Sequence, residues 1–392
     1  MVDSLRIGMV AGEASGDLLG ARVIQALSAR CNTLTVEGIG GAQMQEQGMH
    51  SLFPLERLSV MGLVEPLKRL PELLRMRGQL FRHFRDNPPD VFLGIDAPDF
   101  NLQLERKLRG SQVPVAHLVS PSVWAWRQGR LGKIGASVDT MLCLFPFETA
   151  IYERHGIDSR FVGHPLADEL PMATNQAAAR EALGLSGAGK ILALLPGSRA
   201  SEVQALAPLF LEVAHRLWLN DPTLSFVLPA ASPEREVELR EIMKNQQGIS
   251  GPAITLLQGQ AREAMAAAET VLLASGTASL EAALLKKPMV VAYRMGAVSW
   301  AILSRMVHSE HIALPNLLAG KRLVPELLQG AATPEALVSA LQSLLYESED
   351  GSGQQQALTE QFAVMHEQLK LNCAEQVADA LLDLSQSLGI NV

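Results

Sequence analysis

Five small or polar residues of the kind that build anion sites follow a short apolar run. They are Ser275, Gly276, Thr277, Ser279 and Glu281. The run before them predicts a buried strand and the residues after them predict a helix, so their N–H groups would lie at the positive end of that helix. Glu281 is placed like an acidic residue that accepts hydrogen bonds from ribose hydroxyls. The pattern predicts a cradle for a nucleotide pyrophosphate, although an ordinary capped helix would explain the same residues.

Two carboxylates stand three residues apart just past another predicted strand, Val91 to Ile95. Asp96 and Asp99 therefore occupy positions from which a general base can act. Asp99 or Asn101 could instead cap the helix that follows. One of the two aspartates is accordingly expected to be structural, and the pattern does not decide which.

The first predicted strand, Ile7 to Val10, ends in a glycine-rich turn that carries further acidic groups. Gly12 and Gly16 allow close backbone approach, while Glu13 and Asp17 bring carboxylates to the carboxyl end of the strand, where open α/β sheets bind ligands. Capping of the next helix by Ser15 or Asp17 is the simpler interpretation. The turn is a second candidate ligand-binding loop.

Arg199 lies in a third loop of this type, residues 196–202, between a predicted strand (Ile191 to Leu195) and a helix. Its guanidinium is always charged and can donate two parallel hydrogen bonds. A phosphate group is the ligand that this side chain suits best.

Repeated strand–helix units on both sides of an Ala- and Gly-rich stretch predict how these loops are positioned. Such repeats are typical of doubly wound parallel sheets, and a chain of 392 residues exceeds what one hydrophobic core usually serves. We expect two Rossmann-like α/β domains whose strand ends face a cleft. The expected divisions are residues 1–170, residues 171–350 and a helical segment, 357–392, that packs back on the N-terminal domain.

Residues 58–85 mix apolar and basic side chains and contain two prolines, Pro66 and Pro71, which are expected to divide the segment into short helices. Apolar residues beside a basic cluster fit a surface for anionic lipid. A core-facing helix with a solvated basic face fits the same pattern. From the pattern alone the second interpretation is favoured.

Composition narrows the class of protein further. The formal net charge of −8 argues against a general nucleic-acid binder, and Cys31, Cys143 and Cys373 show no metal or disulfide spacing. His308 and His311 could be two metal ligands, but the sequence places no third or fourth ligand near them. No signal peptide is seen, and no apolar run is long enough to span a membrane, so we expect a cytoplasmic protein that is soluble or peripheral. We also expect no metal ion and no cofactor.

Taken together, several stretches make the chain similar to the lipid-A-disaccharide synthases, inverting glycosyltransferases of the GT-B class. The similarity extends nearly from end to end and is carried by AGEASGDLLGA, VMGLVE, GIDAPDFN, VSPSVWAWRQ, LPGSRASEV, LLASGTASLEA, MVVAYRM and LPNLLAG.

The resemblance implies a hexosyltransferase of lipid A biosynthesis. UDP-2,3-diacylglucosamine would donate its sugar to the 6-hydroxyl of 2,3-diacylglucosamine 1-phosphate, which gives the β(1→6) disaccharide and UDP. Matched by motif, Asp96 would be the general base, Arg199 would hold donor phosphate, and Glu13 and Asn316 would be essential catalytic residues. Residues 1–170 would bind the acceptor and residues 171–350 the UDP-sugar. The residues that would bind UDP are Ser275, Gly276, Thr277, Ser279 and Glu281. Lipids of the inner-membrane surface would be partners, at its cytoplasmic face, and a homodimer is compatible with the family.

Because diacylated sugars lie in a bilayer, the resemblance reverses the preference from pattern alone and implies that residues 58–85 face the membrane. The expected inserting residues are Val64, Leu67, Leu70, Leu73 and Leu74, with Lys68, Arg69, Arg75 and Arg77 meeting anionic head groups.

Two other functions stay open on the residues themselves. One is a related GT-B enzyme, such as a sugar-nucleotide epimerase or a different glycosyltransferase. The other is a nucleotide-sugar binding protein without activity.

Overall fold

The computed structural model describes residues 2–58, 65–124, 128–246, 251–296, 300, 310–346 and 353–387. The chain divides into two compact units. Unit 1 comprises Met1–Asp168 with Leu369–Val392, and unit 2 comprises Glu169–Gln368.

The described strands of unit 1 form a seven-stranded parallel sheet. They are β1 (Val2–Ala11), β2 (Cys31–Ile39), β3 (His50–Ser51), β4 (Val91–Ile95), β5 (Val115–Leu118), β6 (Thr140–Cys143) and β7 (Ser159–Phe161). Their order across the sheet is β3-β2-β1-β4-β5-β6-β7.

The described strands of unit 2 form a six-stranded parallel sheet in the order β10-β9-β8-β11-β12-β13. They are β8 (Ile191–Leu195), β9 (Ser225–Ala230), β10 (Ile254–Gln258), β11 (Thr270–Ala274), β12 (Met289–Tyr293) and β13 (Glu326–Leu328). The prediction of two doubly wound α/β domains is therefore confirmed.

Helices connect these strands. Those described are α1 (Ala14–Ser28), α2 (Ala42–Glu46), α3 (Glu65–Asp86), α4 (Pro98–Arg109), α5 (Leu131–Gly135), α6 (Pro146–Glu153), α7 (Pro165–Glu169), α8 (Gln176–Ala182), α9 (Ala200–Asn220), α10 (Pro233–Gln246), α11 (Ala261–Ala267), α12 (Thr277–Leu284), α13 (Leu314–Ala319), α14 (Pro334–Leu345), α15 (Gln354–Leu369) and α16 (Cys373–Ser387). Short 3-10 turns lie at Leu55–Arg57, Gln128–Arg130 and Gln329–Ala331.

Burial explains why the sequence patterns were informative. Every residue of β4, β8 and β11 is buried, as expected for strands covered by helices on both faces. Such strands are nearly continuous apolar runs, which predict a parallel sheet from sequence.

The strand order reverses once in each sheet, between β1 and β4 in unit 1 and between β8 and β11 in unit 2. Loops that leave the carboxyl ends of strands at such a reversal form the crevice where doubly wound sheets bind ligands. The loops after β1 and β4 carry Glu13 and Asp96, and those after β8 and β11 carry Arg199 and residues 275–281. The fold thus brings the candidate residues of each unit to its reversal point.

Helix α3 differs from its prediction, because it continues through Pro71 instead of breaking there. Pro71 lies on the exposed side, where water can hydrogen-bond the carbonyl that loses its N–H partner. Residues 59–64, which include most of the VMGLVE stretch, lie outside the described part of the chain.

The terminal segment was predicted as one long helix but contains two, α15 and α16. The chain turns at Asn372, whose φ is 57°. The Asp168 carboxylate accepts hydrogen bonds from the N–H groups of Asn372 and Cys373, at 2.9 and 2.6 Å, which caps α16. Arg30 then pairs with Glu375 and Asp379, which ties α16 to the end of α1 within unit 1.

Within the described residues, no helix has both the length and the apolar character needed to cross a membrane.

Candidate functional site

The predicted phosphate cradle lines a cavity of about 350 Å³ in unit 2. Its walls come from the loop after β8 and from the loop after β11 with the first turn of α12. Four of the five residues predicted to bind the nucleotide line it: Ser275, Gly276, Thr277 and Glu281. Arg199 lines the same cavity from the β8 side.

Gly276 opens the cavity onto the N-terminus of α12. Its φ is 155°, and an added Cβ would meet no atom within 4 Å, so the space above the backbone is open. No described side chain caps the N-terminus of α12. The Ser279 N–H donates to the Gly276 carbonyl at 3.1 Å, while no described group accepts from the N–H groups of Thr277 and Ala278, which are therefore available to an anion.

Ser279 does not line the cavity. Its side chain is fully buried and its hydroxyl donates to the Gly276 carbonyl at 2.7 Å. The residue holds the turn in shape instead of contacting a ligand, because a hydroxyl committed inside the turn is not available to a phosphate.

Glu281 is part of a chain of charges that the sequence did not indicate. Arg262 donates from Nε to Glu281 at 2.9 Å and from its guanidinium to Glu169 at 3.1 Å. Burial lowers the pKa of Arg262, but the hydrogen bonds and charges of Glu281 and Glu169 outweigh burial and the pKa is raised overall. Arg262 thus fixes one oxygen of the Glu281 carboxylate, and no described residue hydrogen-bonds the other.

Arg199 is the residue before α9, and its side chain is 81% exposed. It pairs with Glu202 at 3.0 Å, while the other oxygen of Glu202 accepts from the N–H groups of Ser198 and Arg199. Gly197 has a φ of 116°, and a Cβ there would come within 2.6 Å of that carboxylate. A compact, glycine-dependent turn therefore presents an exposed guanidinium at the cavity rim.

Asn316 is fully buried, and its carboxamide makes four hydrogen bonds. Its Nδ2 donates to the carbonyl of Val324 and to Glu326 at 3.0 and 2.7 Å, and its Oδ1 accepts from the N–H groups of Leu323 and Val324 at 2.7 and 2.9 Å. The side chain has no capacity left for a substrate. In this structure its hydrogen bonds make it a positioning residue.

The Asn316 network continues to the cavity. Glu326 also accepts from the N–H groups of Ile312 and Ala313. The Ser275 hydroxyl lies 3.5 Å from the Ile312 carbonyl. Asn316 therefore supports the segment against which Ser275 rests.

In unit 1, the structure distinguishes the two aspartates after β4. Asp99 is 85% exposed and accepts from Arg130 at 2.9 Å. Asp96 is half-buried, and no described residue hydrogen-bonds its carboxylate. Asp96 and Ala97 have φ values of 52° and 44°, a left-handed conformation that costs on the order of 1–3 kcal/mol per residue. Strain of this kind collects at functional sites, and Asp96 carries it.

Asn101 holds the strained loop. It is fully buried, and its Nδ2 donates to the carbonyls of Asp96, Val10 and Ile95 at 2.8, 3.2 and 3.4 Å. The residue joins the ends of β1 and β4 at the reversal of strand order. The sequence pattern predicts only a helix-capping role for Asn101.

Glu13 precedes α1, is exposed and makes no capping hydrogen bond. Its loop passes close to the Asp96 loop, since a Cβ on Gly12 would lie 2.2 Å from that of Ala97. Asp17 is buried and accepts from the N–H groups of Gly41, Gln43 and Met44, so it caps α2 and not its own helix. Glu13 is therefore the carboxylate of this turn that remains exposed.

A buried polar cluster underlies the loop after β5. Val119 has a φ of 76°, which is unusual for a β-branched residue. Ser120 and Tyr152 share a hydrogen bond of 2.7 Å, and Glu148 accepts from the N–H of Phe145 at 3.1 Å. Burial raises the pKa of Glu148 to about 7. The exits of β4 and β5 thus both carry backbone strain.

Within the described residues, no group of three or more His, Cys, Asp or Glu side chains could hold a metal ion.

A family model described as lipid-A-disaccharide synthetase matches residues 7–381 of the chain. The lipid-A-disaccharide synthase of Pseudomonas aeruginosa strain PAO1 is 52% identical over 384 residues, which cover 98% of this chain and 99% of the relative. That of Saccharophagus degradans is 50% identical over 381 residues, 97% of this chain and 96% of the relative.

Among solved structures, the UDP-GlcNAc 2-epimerase from Neisseria meningitidis bound to UDP-GlcNAc is similar, with a TM-score of 0.62, 14% identity and coverage of 97% of this chain and 100% of that chain. The Acinetobacter baumannii MurG structure has a TM-score of 0.59 and 14% identity, and the match covers 97% of this chain and 99% of that chain. At these identities the structural matches show the fold alone.

Proposed function

Because the chain belongs to the lipid-A-disaccharide synthetase family, we propose that its two units divide the reaction, with the UDP-sugar bound by unit 2 and the acceptor hydroxyl activated by unit 1. The protein is a glycosyltransferase that forms the lipid A disaccharide from UDP-2,3-diacylglucosamine and 2,3-diacylglucosamine 1-phosphate. The observation that carries the donor assignment is the open N-terminus of α12 with Glu281 in one cavity.

On this proposal, the N–H groups of the first turn of α12 and the Arg199 guanidinium bind the diphosphate. Both are positive at the point where negative charge develops as UDP leaves. Glu281, oriented by Arg262, accepts from the ribose hydroxyls. Ser279 holds the turn at Gly276, and Asn316 stabilises the segment that Ser275 contacts.

Asp96 takes the proton from the 6-hydroxyl of the acceptor. The oxygen then attacks C1 of the donor sugar from the face opposite UDP, so that the new C1–O bond forms as the bond from C1 to the diphosphate oxygen breaks. A single displacement inverts the configuration at C1. A strained and half-buried carboxylate suits this task, since no described residue competes with the acceptor hydroxyl for its oxygens.

Mass analysis of the products formed by purified protein from the two lipid precursors tests the function. We expect the disaccharide 1-phosphate and UDP. Hydrolysis or epimerisation of the donor without transfer to the lipid acceptor would contradict it.

We predict that Glu281→Gln weakens UDP binding by about 10–100-fold, the range expected for losing hydrogen bonds to a charged group. The substitution keeps the size of the side chain and removes its charge. Titration calorimetry with UDP measures the effect.

The control for this variant is Glu263→Gln, an exposed residue of α11 outside the cavity, which should bind UDP normally. Equal UDP affinities for the Glu281 and Glu263 variants would contradict the donor site.

We also propose that part of α3 docks on the cytoplasmic face of the inner membrane, where diacylated sugars reside. Leu70 and Leu74 lie one helical turn apart, and each is 48% exposed. Met76, Leu80 and Phe84 of the same helix are buried in the core of unit 1, so α3 is anchored there while Leu70 and Leu74 stay exposed. Two exposed leucines next to basic residues are suited to an anionic lipid surface.

The described side chains narrow the lipid-facing set that the sequence predicts. Leu73 packs partly against the core. The Arg77 guanidinium lies 5.9 Å from the centre of the Phe100 ring, and burial lowers its pKa. Of the predicted basic residues whose side chains are described, Arg75 is exposed, and Arg69 and Arg77 are partly buried. The side chains of Val64, Leu67 and Lys68 lie outside the described set.

We predict that the double variant L70S/L74S binds anionic vesicles at least several-fold more weakly, with an unchanged melting temperature. The exposed side chains contribute little to folding, whereas truncating a buried leucine such as Leu80 to alanine would cost about 2–5 kcal/mol. Vesicle cosedimentation and thermal melts measure both quantities.

Leu219→Ser is the control, because Leu219 is 61% exposed on α9 in unit 2. A lower melting temperature of L70S/L74S with unchanged vesicle binding would contradict the docking face.

A further inference from the structure

A cationic groove of about 170 Å³ begins beside the Asp96 loop in unit 1. The end nearest the Asp96 loop is formed by Pro98 and Asp99, in the first turn of α4. Arg130 lies opposite, in the loop after β5, and Arg106 and Lys133 line the groove further along. The groove is therefore lined by α4, which follows the Asp96 loop, and by the 3-10 turn and α5, which follow β5.

The groove has an excess of positive charge in a chain whose formal net charge is −8. Three cations line it, Arg106, Arg130 and Lys133, against the single carboxylate of Asp99. Among the described residues, neither Arg106 nor Lys133 pairs with a carboxylate. Such a local excess attracts a phosphate, and an arginine can bind it with two parallel hydrogen bonds.

Arg130 and Asp99 are unequal partners. The Arg130 side chain is only 25% exposed, whereas the Asp99 side chain is 85% exposed. An exposed carboxylate contributes little to an ion pair and is easily replaced by a stronger anion, because its own hydration compensates its release. The pair is suited to exchange Asp99 for a ligand phosphate.

We propose that this groove binds the phosphate of the acceptor, with Arg130 as its principal ligand. The inference rests on the proposed function, in which the acceptor is a 1-phosphate whose 6-hydroxyl is activated at Asp96. Asp99 is three residues from Asp96, a span of at most about 10 Å, and the two groups of the acceptor lie across one sugar ring. Arg130 therefore determines specificity for a phosphorylated acceptor, and Asp99 is its counter-ion in the free protein.

The other source of a phosphate would be a lipid headgroup of the membrane. The placement of the groove favours the acceptor phosphate, because Pro98 and Asp99, which line the groove, follow the proposed base Asp96 by two and three residues. Arg106 is near the carboxyl end of α4, where a cation also complements the helix dipole, so Arg106 is assigned the smaller part.

Two acceptors that differ only in the 1-phosphate test the proposal, each assayed with wild type, Arg130→Gln, Arg130→Lys and the control Arg154→Gln. Arg154 is an exposed residue of unit 1 outside the groove. We expect Arg130→Gln to lower kcat/KM for the phosphorylated acceptor by about 10–100-fold, mainly through KM, and to leave the unphosphorylated acceptor unaffected. Arg130→Lys should recover part of the loss. Melting temperature and UDP affinity should match wild type.

Each other result contradicts the proposal in a distinguishable way. Equal losses for both acceptors, or no loss, would mean that Arg130 does not recognise the phosphate. Weaker binding of Arg130→Gln to anionic vesicles without acceptor, with acceptor selectivity retained, would identify a headgroup site instead. Wild type that transfers sugar to neither acceptor would overturn the proposed function together with this inference.

Discussion

Asp96→Asn is expected to lower kcat by about 10²–10⁴-fold, the range that general-base catalysis supplies. The substitution preserves shape and removes only the group that accepts the proton of the 6-hydroxyl. UDP affinity should stay within a few-fold of wild type, because the proposed donor residues belong to unit 2. Steady-state kinetics with both lipid substrates and UDP calorimetry measure the two effects.

Two aspartate variants make this prediction specific. Asp86→Asn, at the exposed end of α3, should leave turnover unchanged. Asp99→Asn should act on the KM of the acceptor and not on kcat, because its carboxylate pairs with Arg130. An Asp96→Asn protein with near-normal kcat would remove Asp96 from the base assignment.

The choice between these aspartates shows where sequence reasoning ends. Both follow the same strand, so local pattern could place them at a ligand-binding edge but could not rank them. The ranking depends on the ion pair between Asp99 and Arg130, which is 31 residues away in the sequence. It also depends on the positive φ values of Asp96 and Ala97, which the local sequence pattern does not predict. Long-range contacts decide which carboxylate is free.

The sheets were more predictable than the site, for a physical reason. A parallel strand covered on both faces must be apolar throughout, as in β8 and β11, and the signal is local. The roles of Arg262 and Asn101 could not be predicted from local sequence, because their hydrogen-bond partners lie on other elements. Arg262 reaches Glu281 and Glu169, and Asn101 reaches the end of β1, 91 residues away.

Proline and small polar residues gave the least reliable local predictions. Pro71 was expected to end a helix, yet its exposed position lets α3 continue. Ser279 was grouped with the cavity residues because it lies in the same turn, but helix geometry turns its hydroxyl back to the Gly276 carbonyl. Side-chain direction within one helical turn separates ligand contacts from structural ones.

Asn316→Ala should destabilise unit 2 by more than about 2 kcal/mol, since each buried polar group left unpaired costs on the order of 1–3 kcal/mol. The substitution orphans the N–H groups of Leu323 and Val324 and removes one donor from Glu326. Activity should fall as a consequence, because the segment that supports Ser275 loses its anchor. Thermal or denaturant unfolding measures the change, with the exposed Asn220→Ala of the same unit as the control.

The relation between stability and activity distinguishes the two roles of Asn316. A side chain whose four hydrogen bonds are all internal cannot contact substrate without breaking some of them, and each broken bond would leave a buried group unpaired. If the role is support, the losses of stability and of UDP affinity should occur together. An Asn316→Ala protein with unchanged stability and UDP affinity but turnover reduced by more than 100-fold would show that the carboxamide rotates out of its network to contact substrate. Asn316 would then return to the catalytic residues, as the sequence resemblance implied.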